Sequence, residues 1–323
     1  MAGEPKLTVS HAPFWHDGTS LASRSGHAML ALSPAVVLGV MRFGPRAVGV
    51  ICLSVACCMI FEILMNKATR RPLSITDGTA ALSGLVMALL MPVSTPWWAV
   101  VTAAFCAMIL GKHIWGGLGG NPFNPVLVAL AIVSLSWKDI FNFDSALASY
   151  SFSFPGADPL AALKHFGSGA VSGLDLWGLF LGRQAGGIGA VSGLALAIGG
   201  LYLIFKGIIR WEISISFLAG VLITAWLFSL FGNPALNASP LFHLVTGYTI
   251  MGAFFLATEE SSSPVNFIPM IIYGLCAGFM VVLIRSIGIY DDGVVYALLL
   301  MNVVHPLLDK IGPKALGGIG DHA

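Results

Sequence analysis

The segment Gly116-Gly117-Leu118-Gly119-Gly120-Asn121-Pro122-Phe123-Asn124-Pro125 is the part of the chain best equipped for chemistry. Two X-Pro steps hold extended backbone before each proline, and the glycines permit close approach of a planar ligand or a helix. Asn121 and Asn124 project amides toward the same turn, and an amide carries both a donor and an acceptor, which suits the uracil-like edge of an isoalloxazine ring. The same residues also fit a helix start, with Asn124 as cap and Pro125 in the first helical position. Ionisable groups in apolar surroundings come next: Glu62, Asp77, His243, Glu259, Glu260, Arg285 and His305. A charge at bilayer depth costs about 2.5–3.5 kcal/mol on insertion scales, so each needs a partner or a purpose. Glu62, Arg285 and His305 fall near the ends of apolar runs, where snorkelling to the interface accounts for them. Asp77 and the Glu259-Glu260 pair lie beside Gly-broken runs and are candidates for lining an internal polar path.

Other chemistries have no foothold. The sequence has no P-loop, GxSxG, HExxH or dinucleotide fingerprint, and its histidines are not paired on one helix face for haem or zinc. The five cysteines all lie in apolar runs without a CxxC pair, as small buried hydrophobes do. Any redox chemistry therefore belongs to a bound organic cofactor. Sixteen Lys+Arg against fifteen Asp+Glu leave no basic field to hold nucleic acid.

These residues must be positioned by elements suited to lipid. Of 323 residues 57% are hydrophobic and 10% charged, a composition a soluble fold could not hide from water. The expected class is all-α: a polytopic membrane protein of about ten transmembrane helices. The spans read as roughly 27–43, 46–66, 76–92, 96–114, 123–137, 187–206, 211–232, 241–258, 267–288 and 292–308. Residues 1–26 form a polar N-terminal segment, 27–137 a first set of five spans, 138–186 a loop, 187–308 a second set of five, and 309–323 a tail. With both termini cytoplasmic, ten Lys/Arg fall on the cytoplasmic side against six on the other, and the 138–186 loop faces outward. The halves echo each other. Third and eighth spans are Gly-softened and short, and the fifth and tenth each follow a polar turn, Gly119-Gly120-Asn121-Pro122 and Tyr290-Asp291-Asp292-Gly293. Five spans per half is odd, so the repeat is inverted across the membrane.

The Gly116–Pro125 segment, then Thr246-Gly247-Tyr248-Thr249-Ile250-Met251-Gly252-Ala253-Phe254-Phe255-Leu256-Ala257-Thr258, then Leu283-Ile284-Arg285, Tyr290-Asp291-Asp292-Gly293 and Leu299-Leu300-Met301-Asn302 occur in that order. Together they resemble the D subunit of the Rnf electron-transport complex and its paralogue, the B subunit of the sodium-pumping NADH:quinone reductase, over nearly the whole chain. The resemblance implies two inverted five-span halves with a urea-channel-like architecture. It also implies a place in a bacterial inner-membrane complex, alongside A, B, C, E and G subunits as partners, that couples electron flow between ferredoxin and NAD to movement of Na⁺ or H⁺. Such a chain relays electrons and is not catalytic alone. Family members carry riboflavin among the spans, non-covalently, and FMN esterified to a threonine of an external loop. On this chain Asn121 and Asn124, with Gly119, Gly120 and Phe123, would lie by the inner flavin, while Asp77, Glu259 and Glu260 would belong to the ion path.

One departure stands out. Where the family has Ser-Gly-Ala-Thr-Pro-Leu, this chain reads Pro155-Gly156-Ala157-Asp158-Pro159-Leu160. A carboxylate cannot replace the hydroxyl in a stable phosphoester and repels a flavin phosphate, whereas it readily caps a helix that starts at Pro159. Covalent FMN at position 158 is therefore not expected, and FMN held in another way stays open. Two other functions share the architecture: a urea-type channel without redox cofactor, and a structural anchor within a redox complex.

Overall fold

The computed structural model describes residues 19–147, 150, 158–231 and 238–312. Most of the N-terminal segment 1–26 and of the tail 309–323 lies outside them, as do Pro155, Gly156 and Ala157. Every regular element among the described residues is helical. Four helices are long and apolar enough to cross a membrane: α1 (Leu21–Phe43), α2 (Pro45–Ala68), α9 (Trp211–Phe231) and α12 (Phe267–Ile287). The shorter apolar helices are α3 (Thr79–Leu90), α4 (Trp97–His113), α5 (Pro125–Ser136), α8 (Gly193–Phe205) and α13 (Val294–Leu308). Twelve residues of helix rise only about 18 Å, well short of a hydrocarbon core of about 30 Å. Short helices α6 (Pro159–Phe166) and α7 (Leu176–Phe180) lie between the two sets.

Local chemistry sets the ends. Ser20 caps α1 by accepting from Ser23 N–H, so the helix starts six residues before the apolar run, carrying Arg24. Pro34 interrupts α1 and frees the carbonyl of Leu30; the Ser33 hydroxyl donates to that carbonyl at 2.7 Å, so the backbone stays satisfied. Gly44, at φ 67°, closes α1, and Pro45 opens α2. The last eight residues of α4, Cys106–His113, are π-helical, a widening that often marks functional sites.

Two expectations change in the second half. The sixth span begins at Gly193 rather than 187, because residues 188–190 dock on the C-terminus of α3: Ile188 N–H donates to Met91 O at 3.0 Å, and Gly189 and Ala190 N–H to Leu89 O at 3.1 Å. A helix end leaves carbonyls unpaired, and this turn satisfies them. The eighth span is broken into α10 (Pro240–Val245) and α11, which runs as α-helix over Thr249–Met251 and as π-helix over Gly252–Leu256. The break falls at Thr246–Tyr248, where Gly247 takes φ 61°.

Close approach between helices rests on small residues. On α9 and α12, Ser216 and Gly220 meet Gly274 and Gly278; a methyl group added at Gly274 would sit 1.9 Å from Ser216 Oγ, and one at Gly278 2.4 Å from Phe217 O. Where α1 crosses α8, a methyl at Gly199 would lie 2.0 Å from Ala31 O. Lipid offers no hydrophobic drive for helix association, so contact of this kind must supply it by van der Waals packing.

Candidate functional site

Two cavities lie at opposite ends of the short helices. The first, of about 160 Å³, is lined by the starts of α3 and α5 and the end of α11, including Thr79, Lys112, Asn121, Asn124 and Phe254. The second, of about 420 Å³, is lined by the ends of α3 and α5 (Leu90, Ser134), the start of α13 (Val295, Tyr296) and Tyr248. Each of α3 and α5 thus runs from one cavity to the other.

At the first cavity the two asparagines do different work. Asn124 is engaged on both sides: its carbonyl oxygen accepts from Val126 N–H at 3.0 Å, capping α5, and its amide donates to Leu256 O at 3.2 Å, closing the end of α11. Asn121 donates to Phe123 O at 3.0 Å, but its side-chain oxygen is buried without a partner. A buried polar atom left unpaired costs about 1–3 kcal/mol, so an acceptor held in this way is ready for a ligand donor. Gly119 and Gly120 lie in the exposed turn before it, and Phe123 packs edge-on to Trp115; none of the three lines the cavity. Glu259 and Glu260 do line it. Glu259 accepts from Ser261 Oγ and from Ser262 N–H at 2.9 Å, while Glu260 pairs with Arg24 Nε at 2.8 Å across the half-exposed mouth.

Behind this cavity lies a charge cluster that corrects the snorkelling account of Glu62. The Glu62 carboxylate is 2% exposed and meets Lys112 Nζ at 3.0 Å from both oxygens, His113 Nε2 at 3.1 Å and Ser74 Oγ at 2.5 Å. Lys112 also donates to Thr79 Oγ1 at 3.0 Å, and Thr79 Oγ1 in turn donates to Asp77 at 2.8 Å. Asp77 is therefore joined to the cluster through one hydroxyl, and it borders an adjoining cavity rather than the one at Asn121. A buried carboxylate with a cation and several donors needs no interface. Lys112 and His113 are the residues sequence reasoning passed over; they sit inside the predicted fourth span, where two ionisable side chains in succession were the available signal.

Arg285 is corrected in the same sense. Its guanidinium, 2% exposed, donates to His243 O at 2.8 Å, Thr246 O at 3.3 Å and Asp292 at 2.9 Å. Asp292 also accepts from Tyr248 N–H at 2.6 Å and caps α13 through Val294 N–H at 3.1 Å. One ion pair thus ties both pieces of the broken span to α12 and α13. Gln184 helps, donating to Val245 O at 2.9 Å and accepting from Gly247 N–H at 3.3 Å. Tyr248 OH then donates to Leu90 O at 2.8 Å, joining the break to the end of α3. His305 pairs with Asp309 one turn on, at 2.8 Å.

The second cavity carries five aspartates: Asp139, Asp144, Asp158, Asp291 and Asp292. Asp158 caps α6, accepting from Leu160 N–H at 2.9 Å, while its own N–H donates to Asp144 at 2.9 Å. Burial of its surroundings pushes its carboxyl up to about 7 against the Leu160 hydrogen bond, and Asp291, Asp292 and Asp144 add to the rise. Such a wall does not fit a phosphate ester: it offers no hydroxyl at 158 and surrounds that point with carboxylates. The first cavity does fit the edge of an uncharged flavin. Its lining holds Asn121, whose buried oxygen has no partner, and Phe254 and Phe255 among apolar and charged side chains. Its volume is below the 300–1,000 Å³ usual for ligand pockets, and the partly exposed Arg24–Glu260 pair borders it.

Residues 8–317 match the model of the NQR2, RnfD, RnfE family. The chain is 36% identical over 314 residues to the D subunit of the proton-translocating ferredoxin:NAD(+) oxidoreductase complex of Clostridium ljungdahlii, covering 94% of each. It is 35% identical over 317 residues to the D subunit of the Na(+)-translocating ferredoxin:NAD(+) oxidoreductase complex of Acetobacterium woodii, covering 98% of this chain and 96% of that one. To the D subunit of the ion-translocating oxidoreductase complex of Vibrio cholerae it is 30% identical over 338 residues, covering 93% and 96%.

Proposed function

This chain belongs to the NQR2, RnfD, RnfE family, and on that premise we propose that it is a membrane component of an Rnf-type ion-translocating oxidoreductase, holding riboflavin in the cavity beside Asn121 and taking part in Na⁺ or H⁺ movement. It works with A, B, C, E and G subunits as partners in a bacterial inner membrane, both termini cytoplasmic. The observation that carries the cofactor reading is the buried, unpartnered side-chain oxygen of Asn121, a residue that lines a cavity together with Phe254 and Phe255. Bound flavin supplies electron transfer; the chain's residues supply its place. Asn121 accepts from the ring edge, Asn124 fixes the start of α5 against the end of α11, and Arg24 with Glu260 closes the mouth to water.

Paired features support ten spans in two inverted halves. Asn124 caps α5 as Asp292 caps α13, each through the N–H two residues on. Lys112 at the end of α4 reaches the start of α3, as Arg285 near the end of α12 reaches the break before α11. The two cavities then correspond, one at each membrane face. Asp77, Glu259 and Glu260 belong to the ion path in this reading, since they border the first cavity or the cluster behind it. The choice of ion is not set by overall similarity, because relatives named for proton and for sodium translocation are equally close.

The test is the flavin content of the detergent-solubilised chain and its Asn121→Ala variant. A yellow preparation that loses non-covalent riboflavin on the substitution is expected. Colourless protein that still co-purifies with its partners would make the chain a structural anchor, and urea permeation of vesicles carrying it would make it a channel.

A further inference from the structure

Lys112 is used by nothing in the preceding scheme beyond tying α4 to α3, yet its position is unusual for a structural pair. Its side chain is 4% exposed and lines both the Asn121 cavity and the adjoining one, where Glu62, Asp77 and His113 sit. The cation therefore stands as a wall between a space lined by the free Asn121 acceptor and its own counter-charge. Glu62 lines only the adjoining cavity, and its oxygens are held there by Ser74 at 2.5 Å and His113 at 3.1 Å as well as by Lys112. Lys112 itself is fixed by Thr79 Oγ1 at 3.0 Å. Apolar residues can often replace a purely structural buried pair at little cost.

We infer that Lys112 is a charge-compensating contact for the flavin of the Asn121 cavity, favouring its reduced, negatively charged form, and that Glu62 sets how much of the lysine's charge the cavity feels. The inference rests on the reading that this cavity takes riboflavin. Two electrons and one proton convert neutral riboflavin to an anion whose charge lies on the ring edge that Asn121 would hold. A fixed cation in a site screened from water favours that anion without reorganising. Removing the cation weakens binding of the anion alone, and neutralising Glu62 strengthens it.

The experiment measures affinity of the full chain in detergent for riboflavin and for dithionite-reduced riboflavin, without oxygen and in mildly alkaline buffer, in wild type, Lys112→Met and Glu62→Gln. Oxidised riboflavin should bind all three within about twofold, while the reduced form binds Lys112→Met on the order of tenfold more weakly and Glu62→Gln several-fold more tightly. Glu62→Gln keeps an acceptor for Lys112, so it serves even where Lys112→Met fails to fold. The two shifts in opposite directions cannot arise from general destabilisation. An oxidised-to-reduced affinity ratio unchanged in Glu62→Gln, or moved the same way in both variants, overturns the role of Lys112. Failure of wild type to bind riboflavin at all overturns the cofactor reading beneath it.

Discussion

The Arg285–Asp292 pair holds the break between α10 and α11, and a double-mutant cycle measures how firmly. Arg285→Met removes three donated hydrogen bonds and leaves the carbonyls of His243 and Thr246 and the Asp292 carboxylate without their partner. Breaking a buried pair from one side costs about 3–5 kcal/mol; the Asp292 side chain is 15% exposed, which places this variant near 3 kcal/mol at the low end of that range. Asp292→Asn keeps one acceptor oxygen for the Val294 cap but loses the charge and one of the two acceptor positions, one of which serves Tyr248 N–H, for about 2 kcal/mol. Additive effects would sum to about 5 kcal/mol, whereas variants that remove the same contact should combine to about 3–4 kcal/mol, a coupling of at least about 1 kcal/mol. Unfolding of the detergent-solubilised chain by a denaturing surfactant, followed by circular dichroism, gives all four corners. Hydrogen exchange at residues 246–248 should rise in both single variants. Additivity within about 0.5 kcal/mol would refute the view that one ion pair organises the break.

The remaining expectations are shorter. Gly278→Val should destabilise by about 2–3 kcal/mol through overpacking against Phe217 O, while Gly49→Val, with nothing within 4 Å, should stay within about 1 kcal/mol in the same unfolding assay. Asp158 has its folded-state carboxyl raised from 3.8 to about 7, so the fold holds its proton over that window. Its contribution to stability is complete below the lower value, falls as pH rises through the window and is flat above it. Amide exchange in α6 should quicken accordingly between those pH values, and Asp158→Asn should flatten the profile. Mass spectrometry of peptides from 150–175 should find no flavin adduct; an FMN mass on this stretch would show that the loop esterifies flavin despite Asp158.

Much of the frame was legible before any coordinates. Apolar runs marked α1, α2, α9 and α12 directly, because a helix that faces lipid must be apolar along its length. Asn124-Pro125 announced a capped helix start, and Asp158-Pro159 another, because both are local hydrogen-bond chemistry decided within a few residues.

Tertiary structure decided the partners. Glu62 and Arg285 read as interfacial from their places near helix ends, since the sequence does not say that Lys112 comes from 50 residues away or that the His243 and Thr246 carbonyls turn toward Arg285. Hydropathy ran through the eighth span and over residues 187–192, because a break paired by Asp292 and Gln184 and a stretch paired by the end of α3 are as apolar as helix. The two asparagines looked alike in sequence; only packing engaged Asn124 with Leu256 and left the Asn121 oxygen buried without a partner. Composition fixes which solvent the chain lives in, a property summed over residues, whereas the pairing of a buried charge depends on segments far apart in sequence meeting in space.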